Sequence, residues 1–318
     1  EYLSISNASN NPRIIIYQRV GSNFYKLPDP ASLPGFVTFE LEWTLDGQFL
    51  AVGATGSSPN IFIYQRDGSV FTKLSDPTSA PANRVDALAW SPNGEFLAMG
   101  SRQGAPFLSI YQRSGTTFTL LSAPSSVPSS SIGTISWAPN GQFFIASCGA
   151  DSQVFVYQQT GLTSFTLVDT SITTFTDNMN AIKWSPSSNY LAVARPTTPF
   201  LNVYKRTGTS FSVLSGPASA PNFGITGFGV GWHPSENFVT VTGEGTGTSG
   251  FVVYSFANDT LTKLTNAASM NVDDFQVDAS WSPDGQFLII TSAAGILPYQ
   301  TSSSIPASGV VVSIEASM

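Results

Sequence analysis

A tryptophan-led phrase returns six times along this chain at nearly constant spacing, which restricts the fold to stacked or radially arranged repeats. The copies begin at Trp43, Trp90, Trp137, Trp184, Trp232 and Trp281, with steps of 47, 47, 47, 48 and 49 residues. The fullest read Trp90-Ser91-Pro92-Asn93-Gly94-Glu95-Phe96-Leu97 and Trp281-Ser282-Pro283-Asp284-Gly285-Gln286-Phe287-Leu288. No unit of this size buries its apolar faces alone, so each must pack against its neighbours.

Residues 85–121 show the plan of one period. Val85 to Trp90 is a short apolar run, Asn93-Gly94 is a two-residue hairpin signal, and Phe96 to Gly100 is a second run. Phe107 to Arg113 is a third, and Phe118 to Leu121 follows the Ser114-Gly115 turn. Gly, Asn, Asp and Pro breakers leave no room for a useful helix, and no window keeps a 3.6-residue apolar period. Four antiparallel strands per unit of this length is the pattern of a propeller blade.

A third-strand tyrosine supplies the count: Tyr17, Tyr64, Tyr111, Tyr157, Tyr204, Tyr254 and Tyr299. Seven tyrosines against six tryptophan phrases leave one first strand missing, and Val311 to Met318 aligns with Val85 to Pro92. The sequence therefore predicts an all-β, seven-bladed β-propeller of four-stranded antiparallel blades, with N- and C-terminal strands sharing one blade. Blade 1 takes residues 1–27 plus a C-terminal strand at 310–316. The others fall at about 37–74, 84–121, 131–168, 178–214, 226–264 and 275–308 of a single 1–318 domain. Such closure removes free strand edges. Ser302 to Ser308 lacks the Phe-x-Lys-Leu pattern of other fourth strands, so the last blade is poorly defined.

Charge is sparse. Asp, Glu, Lys and Arg make up 10% of 318 residues, with a net charge of −7, against about 25% in typical soluble domains. Only 13 residues are Lys or Arg, too few and too scattered to displace counterions from phosphates, so no nucleic-acid partner is expected. Arg19, Arg66, Arg113 and Arg206 each lie two residues after the tyrosine, where capping the unit's own hairpin is favoured over gripping anions. No apolar run of 18 residues exists, so no membrane insertion is expected, and the N-terminus shows no signal-peptide pattern. A surface of hydroxyls and prolines points to a virion or an extracellular, cell-surface setting. Asn7-Ala8-Ser9 and Asn258-Asp259-Thr260 match the glycosylation acceptor pattern, as chance allows in a chain this rich in Ser and Thr.

The catalytic inventory is thin. His233, the only histidine, fills the slot of Ser91 and Ser282, so drift at a turn position is preferred to a general base or metal ligand. Cys148, the only cysteine, excludes an intrachain disulfide and a cysteine metal cluster, and packs as a small apolar residue of a second strand. Asp273-Asp274 with Asp278 offers oxygen ligands for Ca²⁺ but lacks the alternating acidic spacing of a calcium motif. Asp46 and Asp284 belong to Asp-Gly turns. The residue before each Trp belongs to the first strand of its unit and is expected to line a channel. Glu42, Lys183 and, by alignment, Glu315 make that lining mildly polar, with a carboxylate pair as the weaker alternative. No catalytic residue, metal or cofactor is expected.

The inter-unit loops are distinctive, carrying Pro30 and Pro34, Pro77 and Pro81, Pro124 and Pro128, and Pro217 and Pro221. Proline fixes φ and lowers loop entropy. These loops therefore form either a stiff docking surface or simply rigid crossovers.

Taken together, Trp-Ser-Pro-Asn-Gly-Glu-Phe-Leu-Ala, then Ile-Tyr-Gln-Arg-x-Gly and a proline loop, resemble the WD40-like propeller repeats of tailed-phage virion proteins and related bacterial surface proteins. The Gly-His and Trp-Asp dipeptides of ordinary WD40 repeats are absent. The resemblance implies a seven-bladed interaction module without catalysis. The function expected is a non-enzymatic structural subunit of a virion or other extracellular assembly. It would bind protein partners, or its own copies, through propeller faces or terminal strand exchange. The alternative is a carbohydrate-binding propeller that takes a glycan.

Overall fold

The computed structural model describes residues 2–6, 12–21, 23–56, 59–148, 153–172, 181–195, 198–220, 223–245, 250–264, 276–292, 295–301 and 311–313. The chain forms two compact units, 1–170 and 171–318.

The first unit holds four antiparallel sheets. One has three strands, β1 (Tyr2–Ser6), β2 (Ile14–Val20) and β3 (Asn23–Lys26). The next runs β4 (Thr38–Trp43), β5 (Phe49–Ala54), β6 (Ile61–Asp67) and β7 (Val70–Lys73). A third runs β8 (Val85–Trp90), β9 (Phe96–Ser101), β10 (Leu108–Ser114) and β11 (Thr117–Leu120). The fourth runs β12 (Ile132–Trp137), β13 (Phe143–Cys148), β14 (Gln153–Gln159) and β15 (Phe165–Asp169).

The second unit holds three four-stranded sheets. They are β16 (Ile182–Trp184), β17 (Tyr190–Ala194), β18 (Leu201–Thr207) and β19 (Ser210–Val213); β20 (Phe223–Trp232), β21 (Phe238–Gly245), β22 (Phe251–Ala257) and β23 (Thr260–Lys263); and β24 (Gln276–Trp281), β25 (Phe287–Ser292), β26 (Gly295–Thr301) and β27 (Val311–Ser313).

All-β architecture and four-stranded antiparallel blades are as the sequence predicts. The blade count and the closure are not. Among the described residues six sheets are four-stranded and the N-terminal one has three strands, so six complete blades stand where seven are expected. Val311–Ser313 does not join Tyr2–Ser6. It pairs antiparallel with β26, Tyr299 opposite Ser313 and Thr301 opposite Val311, and so is the outer strand of the last sheet. The physical reason is the free edge of β26. With no strand-forming run at 302–308, the β-branched Val311-Val312 pair is the next stretch of sequence able to cover it, and so small a separation along the chain keeps closure cheap.

The core lies between sheets. Ile14, Ile16 and Leu27 pack on Leu50, Val52, Tyr64 and Phe71; Phe49, Ala51 and Ile63 pack on Val85, Leu88, Leu97 and Met99. In the second unit Leu201 and Val203 meet Val239 and Val241, and Phe251 and Val253 meet Leu288 and Ile290. Both faces of a middle strand are thus covered. β5, β9 and β13 accordingly read as continuous apolar runs, and every residue in them is buried.

Each repeated residue has a bond to explain it. The indole Nε1 of Trp90 donates to the carbonyl of Glu42 at 3.1 Å, that of Trp137 to Ala89 at 3.1 Å, and that of Trp232 to Lys183 at 3.2 Å. Every acceptor lies on the first strand of the preceding sheet. Ser91 Oγ donates to Asn93 Oδ1 at 2.6 Å while accepting from the Phe96 N–H at 2.8 Å, and Gly94 takes φ +66°, which a side chain disfavours. Ser282 and Asp284 repeat this arrangement. Arg113 Nε donates to Gly94 O at 2.6 Å and Nη1 to Gly115 O at 3.0 Å, so the guanidinium fastens the tryptophan-phrase turn to its own hairpin. Arg66 and Arg206 do the same.

The tyrosines hold the proline loops. Tyr64, Tyr111, Tyr157 and Tyr254 donate their hydroxyls to the carbonyls of Ser32, Ser79, Ser126 and Ser219, at 2.7, 2.7, 3.0 and 3.0 Å. Burial pushes the Tyr111 phenol up to about 12 and raises those of Tyr64, Tyr157 and Tyr254 as well. Replacing Tyr111 by Phe leaves the Ser79 carbonyl without this donor and should cost about 1 kcal/mol. Urea unfolding of Y111F against the wild type measures it; an unchanged midpoint would show that water replaces the bond without loss.

Candidate functional site

The chemistry-bearing group with the most unusual surroundings is Asp278, on β24 in the second unit. The register of β24 against β25 slips between Gln276 and Asp278, so a bulge directly precedes this residue. Bulges re-aim side chains and recur beside active sites. Two-residue periodicity then puts Asp278 and Ser280 on one side of the strand. Lys183, just before Trp184, holds in β16 the place that Ser280 holds before Trp281.

β20 makes room for the carboxylate. It reads Gly227-Phe228-Gly229-Val230-Gly231, with glycine at every second position. Gly229 stands directly opposite Thr242 of β21. A methyl group at Gly229 would lie 2.6 Å from Thr242 Oγ1, 2.7 Å from Asp278 Cα and 2.8 Å from Asp278 Oδ1. The space a side chain would fill is therefore taken by the Asp278 carboxyl, with the Thr242 hydroxyl beside it. Thr242 is fully buried, and among the described residues its Oγ1 has no hydrogen-bond partner. A buried hydroxyl without a partner costs stability and calls for an explanation.

Asp278 is reached by water and at the same time hemmed in by protein. Desolvation raises its carboxyl above the usual value, while the Lys183 charge and a 2.8 Å bond from the Ala279 N–H draw it down. The site thus combines an accessible carboxylate of raised basicity, an ammonium acting on it, and a hydroxyl next to it. That set can take a proton from water and stabilise negative charge.

Among residues expected to matter from sequence, Lys183 belongs to this site. Glu42 lies half-buried on β4 in the other unit and lends its carbonyl to Trp90; Glu315 lies outside the described residues. Asp273 and Asp274, weighed with Asp278 as calcium ligands, also lie outside them. Among the described residues no group of three His, Cys, Asp or Glu side chains is arranged to hold a metal. Pro30, Pro34, Pro77 and Pro128 are buried, Pro81, Pro124 and Pro217 are half-buried, and Pro221 lies outside the described residues. His233 sits in its turn, bonded to Ser235 Oγ at 2.7 Å and packed edge-on against Trp281 at 4.7 Å, and burial lowers its pKa.

Reading only the residue before each Trp found Lys183 and passed over Asp278, three residues before Trp281. The signal that finds it is the step back to that position in each copy, which gives Gly229 in one blade and Asp278 in the next. Thr242 has no sequence signal of its own.

Comparison with known proteins agrees with the repeat type. The family model "WD domain, G-beta repeat" matches residues 120–158. No curated protein matches the sequence. The periplasmic gluconolactonase of Pseudomonas aeruginosa is 15% identical, with 99% of this chain and 94% of that one covered and a TM-score of 0.71. A protein of Bacteroides uniformis provisionally named 6-phosphogluconolactonase is 13% identical over 98% and 94%, with a TM-score of 0.73. The β-propeller domain of Myceliophteria thermophila Cps50 (Swd1) is 11% identical over 91% and 90%, with a TM-score of 0.66.

These likenesses establish the β-propeller fold and leave the virion and surface-protein resemblance without support. They also correct the reading of the chain as a non-enzymatic structural subunit or lectin. That reading took the lack of a histidine or cysteine catalytic set as grounds against an enzyme. Propellers with lactonase names are among the most similar structures, so that ground fails. WD40 propellers commonly mediate protein–protein contacts, and the expectation of protein partners stands at that general level. By its repeat and by its structure alike the chain is a β-propeller, with a WD40 repeat matched over residues 120–158.

Proposed function

We propose that this chain is a hydrolase that opens small lactones, with Asp278 as the base. The observation that carries this reading is Asp278 itself, water-accessible yet raised in pKa, set against Lys183 and the buried Thr242 hydroxyl. The lactonase names among similar propellers, at 13–15% identity, suggest the substrate class.

In this reaction the Asp278 carboxylate takes a proton from water as the oxygen attacks the lactone carbonyl. The Lys183 ammonium stabilises the oxyanion that forms. The ring C–O bond then breaks, and Asp278 returns the proton to the leaving alkoxide, giving a hydroxy acid. Thr242, out of contact with water, lies beside the carboxyl and is given no step in the reaction. A base is most effective when its pKa lies near the working pH, and desolvation moves Asp278 in that direction.

The test is proton release from gluconolactone, corrected for the uncatalysed rate, across a pH series. A saturable rate with an acid limb is expected. Lys183 lowers the Asp278 pKa, so Lys183→Met should shift that limb to higher pH and reduce the plateau by about tenfold or more. A wild-type rate equal to the blank at every pH would sink the reading.

A further inference from the structure

One joint of the first unit lacks a part that its neighbours carry. Arg66 and Arg113 each span two backbone carbonyls, one in the tryptophan-phrase turn (Gly47, Gly94) and one in their own hairpin (Gly68, Gly115). The β12–β15 sheet keeps both glycines, at Gly141 and Gly161, but has Gln159 in the arginine's place. Gln159 Nε2 donates to the Gly161 carbonyl at 3.1 Å, and its single amide group serves only that one. Among the described residues no donor reaches the Gly141 carbonyl.

The missing guanidinium leaves room. An open cavity of about 380 Å³ lies there, walled by Pro92 and Asn93 of one turn and by Gly141, Gln142, Gln159 and Gly161. The surroundings favour a cation. Glu95 accepts from Asn93 Nδ2 and from Gln112 Nε2, each at 3.1 Å, and among the described residues no lysine or arginine pairs with it. The chain as a whole carries a net charge of −7. Stacking plays no part: Phe49 lies 4.5 Å from Arg113 Cζ, whereas its counterpart Phe96 is fully buried. Recognition falls to the carbonyls and to charge. Leu162, next to Gly161 on the same hairpin, is 88% exposed and offers apolar contact at the rim.

We propose that this cavity takes the guanidinium of an arginine presented by a protein partner, completing from outside the staple that Arg113 makes from within. A guanidinium holds five N–H donors in one rigid plane, and Arg66 and Arg113 show that this plane fits such a pair of carbonyls. The site shares no residue with the hydrolase reading, and its test needs no turnover. The whole chain at low salt is titrated with acetyl-Leu-Arg-Leu-amide and followed by amide NMR, with acetyl-Leu-Lys-Leu-amide and free arginine as comparison arms. Saturable binding of the arginine peptide is expected, with the largest shifts at Gln142 and Gly161. The lysine peptide has the charge without the fork and should bind about tenfold more weakly or worse. Free arginine, lacking the leucines, should also bind more weakly. Gln159→Arg should fill the cavity from within, abolishing binding and raising the melting temperature by about 1–3 °C. No saturable binding of the arginine peptide, equal binding of the lysine peptide, or binding retained in Q159R would overturn the proposal. Free arginine binding as tightly as the peptide would remove the protein partner, and a Q159R that melts lower would show that no guanidinium fits.

Discussion

Asp278→Asn is expected to lower lactone hydrolysis by about two to four orders of magnitude while making the protein more stable at neutral pH. The amide keeps the shape over Gly229 and cannot take a proton, so the loss is chemical. The stability gain follows from the sign of the shift. A carboxyl raised in the folded state binds its proton more tightly there than in the unfolded chain. Its contribution is fully present below the ordinary carboxylate value of 3.8 and is lost as pH rises through the raised folded value. Asn never ionises and escapes that loss. Melting curves should therefore separate, with the variant higher at pH 7 and the gap closing as pH falls to acid values. Hydrolysis at the wild-type rate in D278N would remove Asp278 from the mechanism, and a variant melting lower at pH 7 would contradict the desolvation argument.

Trp137→Ala should be the most damaging change to the scaffold. Trp137 is 7% exposed and its ring lies 5.0 Å from Phe144, 5.6 Å from Phe165 and 6.2 Å from Phe96. Losing the ring opens a cavity worth about 3–5 kcal/mol. Losing the indole N–H adds about 1–3 kcal/mol for the Ala89 carbonyl, which is buried at the same seam. Trp137→Phe keeps most of the packing and should cost much less, so the pair of variants splits the two contributions. Trp43, half-buried and bonded to Ser4 Oγ rather than to a backbone carbonyl, should tolerate alanine better. Urea unfolding followed by far-ultraviolet circular dichroism measures all three. Equal midpoints for W137A and W43A would undo the ranking.

The repeat was legible because each conserved side chain answers a backbone need common to every blade. Trp supplies a donor to the preceding sheet, Ser and Asn or Asp close the turn, Arg staples it, and Tyr holds the crossover loop. Such roles recur at fixed spacing, so spacing reveals them. The pairing of Val311–Ser313 was not legible, because two edges offer the same backbone groups and a three-residue β-branched run suits either. Proline fixes φ whichever way its ring faces, so its recurrence in the loops does not tell that Pro30, Pro34, Pro77 and Pro128 turn inward. Lys183 was found through its repeat position. Asp278 drew notice only as a calcium ligand and Thr242 not at all, because a search tuned to what recurs passes over what does not.

The indole hooks also bear on how such a chain can change over generations. A main-chain oxygen accepts each of three bonds, at Glu42, Ala89 and Lys183, and every amino acid has that oxygen. An acid, a methyl group and an amine have therefore each settled at the position without loosening the joint. Copying a blade and altering that one letter is mechanically neutral, so new reactivity can arise on a blade's first strand while the frame around it stays as it was.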